Sequence, residues 1–239
     1  MMANEWFKFK QFTILQDRCG MKVGTDGVIF GTWVDVENHR RALDIGTGTG
    51  LLALILAQRS KFLSIDAVEI DSDAAVQAFE NVQKSKFNKQ IAVIHGDFRS
   101  YYLHKKPEYD LIICNPPYFS DSMKPANRSR AISRHSQSLQ LEEIFVGATM
   151  LMTVEGSLNV IVPYDLQENT RALAKSYKLF LRKKLNVIPL PGRNPKRCCL
   201  EFSFSEQKLL EETLIIETTG RHNYSDEYIK LTKDFYLDK

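Results

Sequence analysis

Short apolar segments alternate with longer segments of helical periodicity over most of the chain, and this alternation limits the fold more than any other feature. Apolar runs predict strands at residues 42–45, 64–70, 91–94, 109–114 and 158–162. Helical spacing of apolar residues predicts helices at residues 51–59, 72–85, 139–153 and 166–179, with Ser72 or Asp73 as the cap of the second. Strand–helix alternation of this kind builds a parallel sheet with helices on both faces. The chain therefore belongs to the α/β class.

The final third of the chain has a different pattern, with β-rich segments at residues 184–190, 198–204 and 213–217. Strands that follow one another without an intervening helix pair antiparallel, so we expect a C-terminal hairpin that finishes the sheet. Helical periodicity returns at residues 228–235.

Composition excludes several classes of protein. The 239 residues are 44% hydrophobic and 26% charged, which is typical of a globular chain. No apolar run approaches the roughly 20 residues that a membrane helix needs, and the first ten residues lack the features of a signal peptide. We therefore expect a cytoplasmic protein. The four cysteines lack zinc-site spacing, so we expect no metal and reduced thiols, with Cys198 and Cys199 on opposite faces of a strand.

A glycine-rich segment follows the first apolar strand. The run Asp44-Ile45-Gly46-Thr47-Gly48-Thr49-Gly50 lies where the strand meets the next helix, a common nucleotide site in such sheets. Leu51 stands where the third glycine of a dinucleotide fingerprint would be. Asp44 would oppose a pyrophosphate but suits a ligand that carries an amine.

Two more carboxylates follow the next two strands. Glu69 ends the second strand and is placed to accept both ribose hydroxyls of an adenosine, while Asp97 follows the third. Three acids at three successive strand ends are difficult to explain as solvated loop residues. Together with the glycine segment they resemble the cofactor motifs of the class I methyltransferases, which bind S-adenosylmethionine (SAM).

The resemblance implies a Rossmann-like fold with a mostly parallel seven-stranded sheet. It also implies that Asp97 accepts from the adenine amino group and that Phe98 packs on the adenine ring. The cofactor-binding residues expected in the core are Asp44, Gly46, Thr47, Gly48, Gly50, Glu69, Ile70, Asp97, Phe98 and Asn115.

Asn115-Pro116-Pro117-Tyr118 follows the fourth strand and is the most specific motif in the chain. It resembles the Asn-Pro-Pro-aromatic loop of enzymes that methylate a planar or exocyclic nitrogen. Such a nitrogen is a poor nucleophile because its lone pair is delocalised. The carbonyls of Asn115 and Pro116 can accept from the amino group and localise that pair. Tyr118 can stack on the base, and Pro117 restrains the loop. We predict that these four residues are catalytic.

Flanking segments narrow the resemblance to one subfamily. Residues 21–33, 129–131, 189–192 and 231–237 are similar to bacterial tRNA enzymes that methylate N6 of the adenosine 3′ of the anticodon, position 37, in a valine tRNA. The resemblance implies that Thr25 and Asp26 close over the amino-acid end of the cofactor, although either residue alone could simply cap a helix. It implies one domain, with residues 1–40 over the cofactor and residues 41–239 as the core. Residues 120–124 match no role.

The basic residues are unevenly distributed. Residues 175–200 contain eight bases and no acid, whereas residues 201–239 contain nine acids and five bases. We therefore expect tRNA phosphates to contact the first stretch and the polar loop at residues 119–138. The candidate contacts are Arg128, Arg130, Arg134, Arg193, Lys196 and Arg197. Phe7, Phe9 and Phe12 could stack on RNA, but packing in the core is the favoured interpretation.

Three alternatives remain open. The motif also fits enzymes that methylate glutamine N5 in release factors or guanine N2 in RNA. A third alternative is a binding module with an inactive site. The prediction is a SAM-dependent tRNA adenine-N6 methyltransferase, monomeric, with no metal and no membrane contact.

Overall fold

Ten strands and seven helices make up the described part of the chain. The computed structural model describes residues 4–116 and 139–237. The strands are β1 Trp6–Lys8, β2 Thr13–Leu15, β3 Arg41–Ile45, β4 Ser64–Glu69, β5 Ile91–His95, β6 Tyr109–Cys114, β7 Met152–Pro163, β8 Phe180–Ile188, β9 Arg197–Ser203 and β10 Leu210–Ile215. The helices are α1 Thr25–Trp33, α2 Leu51–Arg59, α3 Ser72–Gln83, α4 Phe98–Leu103, α5 Leu141–Leu151, α6 Gln167–Ser176 and α7 Asp226–Thr232.

Eight of these strands form one sheet in the order β10-β8-β9-β7-β6-β3-β4-β5. Only β9 runs antiparallel to its neighbours, β7 and β8, so the sheet is mostly parallel and carries the expected C-terminal hairpin. The predicted fold class is confirmed. The predicted number of strands, seven, is wrong because Leu210–Ile215 pairs in parallel with β8 and extends the edge.

The chain reverses its direction of travel across the sheet at β3. From β3 it proceeds outward through β4 and β5, and it then returns to place β6 and β7 on the other side of β3. The connections that leave the carboxyl ends of β3 and β6 therefore run in opposite directions, which makes this point the switch point of the sheet. Ligands bind in the crevice that such a switch point leaves open.

Two apolar clusters cover the two faces of the sheet. Leu111 and Ile113 of β6 pack on one side with α1, α2 and α7, whereas Ile112 and Cys114 pack on the other side with α5. Alternation along a strand produces this division because successive side chains point to opposite faces. Cys198 and Cys199 of β9 likewise belong to different clusters, which confirms the prediction made for them.

An N-terminal hairpin, β1 and β2, packs beside the large sheet and was not predicted from the sequence. Phe9 and Phe12 are buried, and the Phe9 ring stacks at 5.9 Å on Tyr236 near the end of the described chain. The buried rings confirm core packing as the role of these phenylalanines. Use of Phe9 or Phe12 to stack on RNA is thereby excluded.

Helix starts differ from two sequence-based expectations. The carboxylate of Asp71 accepts from Ala74 N at 2.9 Å and caps α3, so neither Ser72 nor Asp73 is the cap. Helix α1 starts at Thr25 after Gly24, which holds the cap position without a side-chain hydrogen bond. Neither Thr25 nor Asp26 is therefore a cap.

Candidate active site

A cavity of about 360 Å³ lies at the carboxyl edge of the sheet, over the switch point between β3 and β6. Its volume is within the range of small-molecule sites, roughly 300–1,000 Å³. Residues from seven parts of the chain line it: Cys19, Gly20, Met21, Ile45, Gly46, Gly48, Val68, Glu69, Ile70, Asp71, Ala74, Gly96, Asp97, Phe98, Arg99, Cys114, Asn115, Pro116 and Leu139. Six of the predicted cofactor residues and Asn115 are thus brought together.

The glycine segment forms a tight loop between β3 and α2. Gly46 and Thr47 donate from their amides to Val68 O at 2.9 and 3.1 Å, which ties the loop to β4. Gly46 and Gly48 have φ angles of 69° and 58°, in the region that side chains other than glycine adopt only with strain. A Cβ atom at either glycine would meet no protein atom within 4 Å, so the space beside the loop is open to a ligand.

Glu69 is the carboxylate best placed to bind a ribose. Its Oε2 accepts from Gly48 N at 2.8 Å and its Oε1 accepts from Asp71 N at 3.0 Å. These two amides fix the orientation of a side chain that is only 8% exposed and lines the cavity. Each carboxylate oxygen can accept more than one hydrogen bond, so both remain able to accept from a pair of hydroxyls.

Asp44 lies behind the glycine loop and is completely buried. Its Oδ2 accepts from Thr47 Oγ1 at 2.5 Å, whereas its Oδ1 has no hydrogen-bond partner among the described residues. Burial raises the pKa of the carboxyl group to about 7, against the lowering effect of the Thr47 hydroxyl. Asp44 does not itself line the cavity, so its ionised carboxylate would act on a positively charged ligand electrostatically, from behind the loop.

Asp97 and Phe98 begin α4 at the far wall of the cavity. Asp97 caps the helix by accepting from Arg99 N at 2.8 Å. The Phe98 ring packs against Tyr102, and a Cβ on Gly147 of α5 would come within 2.4 Å of it. The adenine contacts that the family resemblance implies for Asp97 and Phe98 stay predictions, and the cavity position of both residues is compatible with them.

Arg99 also lines the cavity, although no sequence motif pointed to it. Its Nε donates to Glu143 Oε1 of α5 at 2.6 Å, and its Nη1 donates to Asp97 Oδ2 at 3.4 Å. The hydrogen bonds from Arg99 lower the pKa of the Glu143 carboxyl group. This pairing joins α4 to α5 and fixes the wall of the cavity that carries Asp97 and Phe98.

Asn115 and Pro116 follow β6 directly and line the same cavity. Cys114 at the end of β6 pairs with Ile45 at the end of β3, so the Asn-Pro loop and the glycine loop start on neighbouring strands. Adjacent strands are about 4.8 Å apart, which sets the separation of the two loops where they leave the sheet. Pro117 and Tyr118, the other predicted catalytic residues, lie outside the described residues.

Besides Asp44, four predicted cofactor residues do not line the cavity. Thr47 and Gly50 belong to the glycine loop but are not among the lining residues; the Thr47 hydroxyl donates to Asp44, and Gly50 is the N-cap of α2. Thr25 and Asp26 lie in the first turn of α1, where Asp26 Oδ2 accepts from Arg197 Nε at 2.9 Å. Their predicted closure over the cofactor stays a prediction.

Residues 19–21 supply the wall that sequence reasoning missed. Cys19 is half-buried, and burial, followed by the charges of Glu69, Asp71 and Asp17, raises the pKa of its thiol to about 12. No motif marks Cys19-Gly20-Met21, because the contacts that bring the segment here come from α3.

Half of the predicted basic stretch is neutralised by acids from other parts of the chain. Four of its eight bases have carboxylate partners within 4.0 Å: Arg182–Glu201, Lys183–Glu212, Lys184–Glu211 and Arg197–Asp26. Arg193 and Lys196 are exposed in the turn between β8 and β9. Arg128, Arg130 and Arg134 lie outside the described residues.

The described ranges contain no group of three or more His, Cys, Asp or Glu side chains that could hold a metal ion. Within the same ranges, no helix has the length and apolar character needed to cross a membrane.

The doubly wound sheet, the glycine loop and the buried Glu69 carboxylate beside that loop are those of a Rossmann-like, SAM-dependent methyltransferase. Residues 29–180 match the family model described as the methyltransferase small domain. Solved structures share the fold. A predicted O-methyltransferase from Agrobacterium tumefaciens superimposes with a TM-score of 0.70 at 18% identity, covering 88% of this chain and 96% of the other. A precorrin-6y C5,15-methyltransferase from Geobacter metallireducens gives 0.54 at 14% identity over 80% and 97%.

Full-length relatives are closer in sequence. A tRNA1(Val) (adenine(37)-N6)-methyltransferase from Bacteroides fragilis is 46% identical over 237 residues, which is 99% of each chain. The enzyme of the same name from Trichodesmium erythraeum is 44% identical over 238 residues, again 99% of each. The chain belongs to this family of methyltransferases, and the class predicted from its motifs is confirmed.

Proposed function

We propose that this chain transfers the methyl group of SAM to N6 of an adenosine in tRNA, at position 37 of a valine tRNA. The observation that carries the proposal is that Asn115 and Pro116 line the cofactor cavity beside Glu69 and the glycine loop. The names of the full-length relatives support the same substrate.

The cavity residues fit a cationic cofactor. Glu69, Asp71 and Asp97 place three carboxylates around it, and the guanidinium of Arg99 is paired with Asp97 and Glu143. Bound SAM supplies an electrophilic methyl group on a positively charged sulfur. Glu69 would hold the ribose, and Asp44 would offset the positive charge of the amino-acid end from behind the loop.

Asn115 and Pro116 would then prepare the nucleophile. Their carbonyl oxygens accept from the two N–H groups of the adenine amine and turn its lone pair toward the methyl carbon. The nitrogen becomes cationic as the new C–N bond forms, so its proton is acidic and leaves to solvent without a strong base. Tyr118 would stack on the base, and Pro117 would restrain the loop.

The tRNA would approach from the β7 side of the site. Strands β7, β8 and β10 run parallel to β6, so the loops that follow them lie at the same edge as Asn115. Arg193 and Lys196 are exposed in the loop after β8, three strands or about 14 Å from β6. That span suits contacts to phosphates next to a base held at Asn115. Arg128, Arg130 and Arg134, in the sequence that follows Tyr118, remain candidates. Arg197 is the weakest candidate because it pairs with Asp26.

A transfer assay with an asparagine control tests the chemistry. Asn115→Ala should retain the fold and SAM affinity but lose methyl transfer by on the order of a hundredfold or more, because one preorganised acceptor is removed. Asn88→Ala, an exposed asparagine after α3, should leave transfer unchanged. Nucleoside mass spectrometry should find N6-methyladenosine in the tRNA. Wild-type activity in Asn115→Ala would refute the acceptor mechanism, and methylation of glutamine or guanine would refute the substrate while leaving the mechanism intact.

The salt dependence of tRNA binding tests the docking surface. Neutralising Arg193 and Lys196 together should reduce the slope of log affinity against log salt by about 0.7 to 0.9 for each lost phosphate contact. The matched control is Lys84→Gln with Lys89→Gln, two exposed lysines between α3 and β5 at the opposite edge of the sheet. Equal slopes for the two double variants would place the RNA elsewhere.

The proposal includes the remaining expectations from the sequence. The chain would act as a monomer with one catalytic domain, residues 1–40 lying over the cofactor and residues 41–239 forming the core. It would act in the cytoplasm, where its tRNA substrate is found, without a metal ion.

A further inference from the structure

Three buried amide side chains hold the segment that closes one wall of the cofactor cavity. We call Cys19–Met21 the cavity wall segment; all three of its residues line the cavity. It belongs to neither a helix nor a strand, so its position depends on bonds made by its neighbours.

Gln77 of α3 is the first of these amides and is completely buried. Its Oε1 accepts from Arg18 N at 3.1 Å, and its Nε2 donates to Asp17 Oδ1 at 2.6 Å. Both partners immediately precede the cavity wall segment. A second contact, Arg18 to Glu80 Oε1 at 3.0 Å, joins the same residues to α3 on the exposed side.

Asn81 lies four residues further along α3, on the same face of the helix. Its Oδ1 accepts from Leu15 N at 2.8 Å, and its Nδ2 donates to Leu15 O and to Thr49 O, each at 2.9 Å. One buried side chain thereby joins the end of β2 to the glycine loop. The N-terminal hairpin and the cofactor loop are fixed relative to each other through this contact.

Gln16 closes the loop that contains the cavity wall segment. Its Oε1 accepts from Val23 N at 2.8 Å, so the two ends of residues 17–22 are joined. Only six residues lie between Gln16 and Val23. Because both ends of this short loop are fixed, the cavity wall segment in its middle is kept beside the cavity.

The segment lies beside the ribose end of the site. The carboxylates of Glu69 and Asp71 act electrostatically on the Cys19 side chain, and both line the cavity with it. Nothing in the chemistry of methyl transfer requires Gln77 or Asn81. The partners of Gln77 immediately precede this wall, and those of Asn81 are the end of β2, from which the chain continues to the wall, and the glycine loop.

We propose that Gln77 and Asn81 are positioning residues that hold Cys19–Met21 against the ribose end of bound SAM and so determine how tightly the cofactor is retained. Loss of the hydrogen bonds made by Gln77 or Asn81 should increase the rate at which the cofactor dissociates. It should not change the transfer step once the site is saturated, because Asn115 and Pro116 stand on the other wall.

Cofactor kinetics separate this role from a purely structural one. Gln77→Ala should raise the KM and Kd for SAM about tenfold while kcat at saturating SAM stays within about twofold, since two hydrogen bonds to the wall are lost. Gln83→Ala, an exposed glutamine on the same helix, is the matched control and should match the wild type in both. Asp17→Ala removes one of the same two hydrogen bonds and should also raise the Kd for SAM. Because the Asp17 side chain is exposed, this substitution leaves no cavity in the core.

Hydrogen exchange measured by mass spectrometry reports on the wall directly. S-adenosylhomocysteine should slow exchange of the backbone amides at residues 17–23 in the wild type and in Gln83→Ala, and much less in Gln77→Ala. The proposal is overturned if Gln77→Ala and Asp17→Ala both keep the control's Kd, if only kcat falls, or if the ligand leaves residues 17–23 unprotected. If Gln77→Ala does not fold, the Kd of Asp17→Ala decides.

Discussion

The buried carboxyl group of Asp44 should make cofactor affinity depend on pH near neutrality. Its pKa is raised to about 7 by burial, with Oδ1 unpartnered among the described residues. In the cofactor-free protein the group is therefore largely protonated at pH 6. A ligand ammonium beside the glycine loop favours the ionised form of Asp44, so the ligand binds mainly to molecules in which Asp44 is ionised. Affinity should rise as pH rises through 7.

The expected magnitude follows from that fraction. With a pKa of about 7, roughly a tenth of the molecules are ionised at pH 6 and roughly three quarters at pH 7.5. Apparent affinity scales with the competent fraction, so Kd should fall about eightfold between these two values of pH, provided that the pKa in the complex lies below the range. Asp44→Asn abolishes the titration, so its Kd should be flat over the same range and weaker than the wild type at pH 7.5.

Calorimetry with two ligands makes the test specific. S-adenosylhomocysteine carries the ammonium group, whereas 5′-methylthioadenosine has the same adenosine without it, so only the first should show the pH dependence. A flat profile with S-adenosylhomocysteine, or an equal slope with both ligands, would refute the role assigned to Asp44.

The same group predicts the stability of the cofactor-free protein. A carboxyl pKa raised from 3.8 to about 7 by folding means that the folded state binds more protons between these values, so stability should fall as pH rises from about 4 to 7. Asp44→Asn removes this loss. At pH 7.5 its melting temperature should equal or exceed that of the wild type, which also shows that the variant folds.

Three further predictions concern other parts of the molecule. Glu69→Ala should weaken SAM binding in calorimetry by a few kcal/mol, because a buried charged acceptor is lost, and an unchanged Kd would exclude Glu69 as the ribose ligand. Tyr109→Phe removes a buried hydroxyl that donates to Asp66 Oδ2 at 2.6 Å, so the free energy of unfolding measured in urea should fall by about 1–3 kcal/mol. SAM affinity should not change, because both residues lie near the amino ends of their strands. Gly147→Ala should lower the free energy of unfolding by about 1–3 kcal/mol, because the added methyl group overpacks against Phe98. It should also weaken cofactor binding; an effect on stability alone would show that the Phe98 ring does not contact the adenine.

Much of the cavity lining could be predicted from the sequence because many of its residues follow strand ends. In a parallel sheet the carboxyl ends of all strands meet at one edge, so Gly46, Glu69, Asp97 and Asn115 converge wherever the strands are recognised. Periodicity and topology are sufficient for this step, and no side-chain contact has to be known. The same argument predicted the sheet itself up to its last edge strand.

The cavity wall segment could not be predicted, because its position depends on contacts distant in sequence. Gln77 and Asn81 have the spacing of one helix face, but polar residues on a helix ordinarily face solvent. Gln77 and Asn81 are buried only because the N-terminal hairpin packs on this face of α3. No local pattern marks Cys19–Met21 as part of a binding site.

The basic stretch shows the converse error, in which a sequence pattern predicts more than the fold provides. Residues 175–200 contain no acid, but β8 lies between β9 and β10, and those strands supply Glu201, Glu211 and Glu212 as partners. Cross-strand pairing is invisible to a count along the chain. Of the four bases without such a partner, Arg193 and Lys196 are exposed in the turn between β8 and β9, whereas Lys175 and Lys178 are exposed at the end of α6. A charge bias along the chain therefore predicts a surface for RNA only where the topology leaves the bases unpaired, and Arg193 and Lys196 are the unpaired bases at the edge that also carries Asn115.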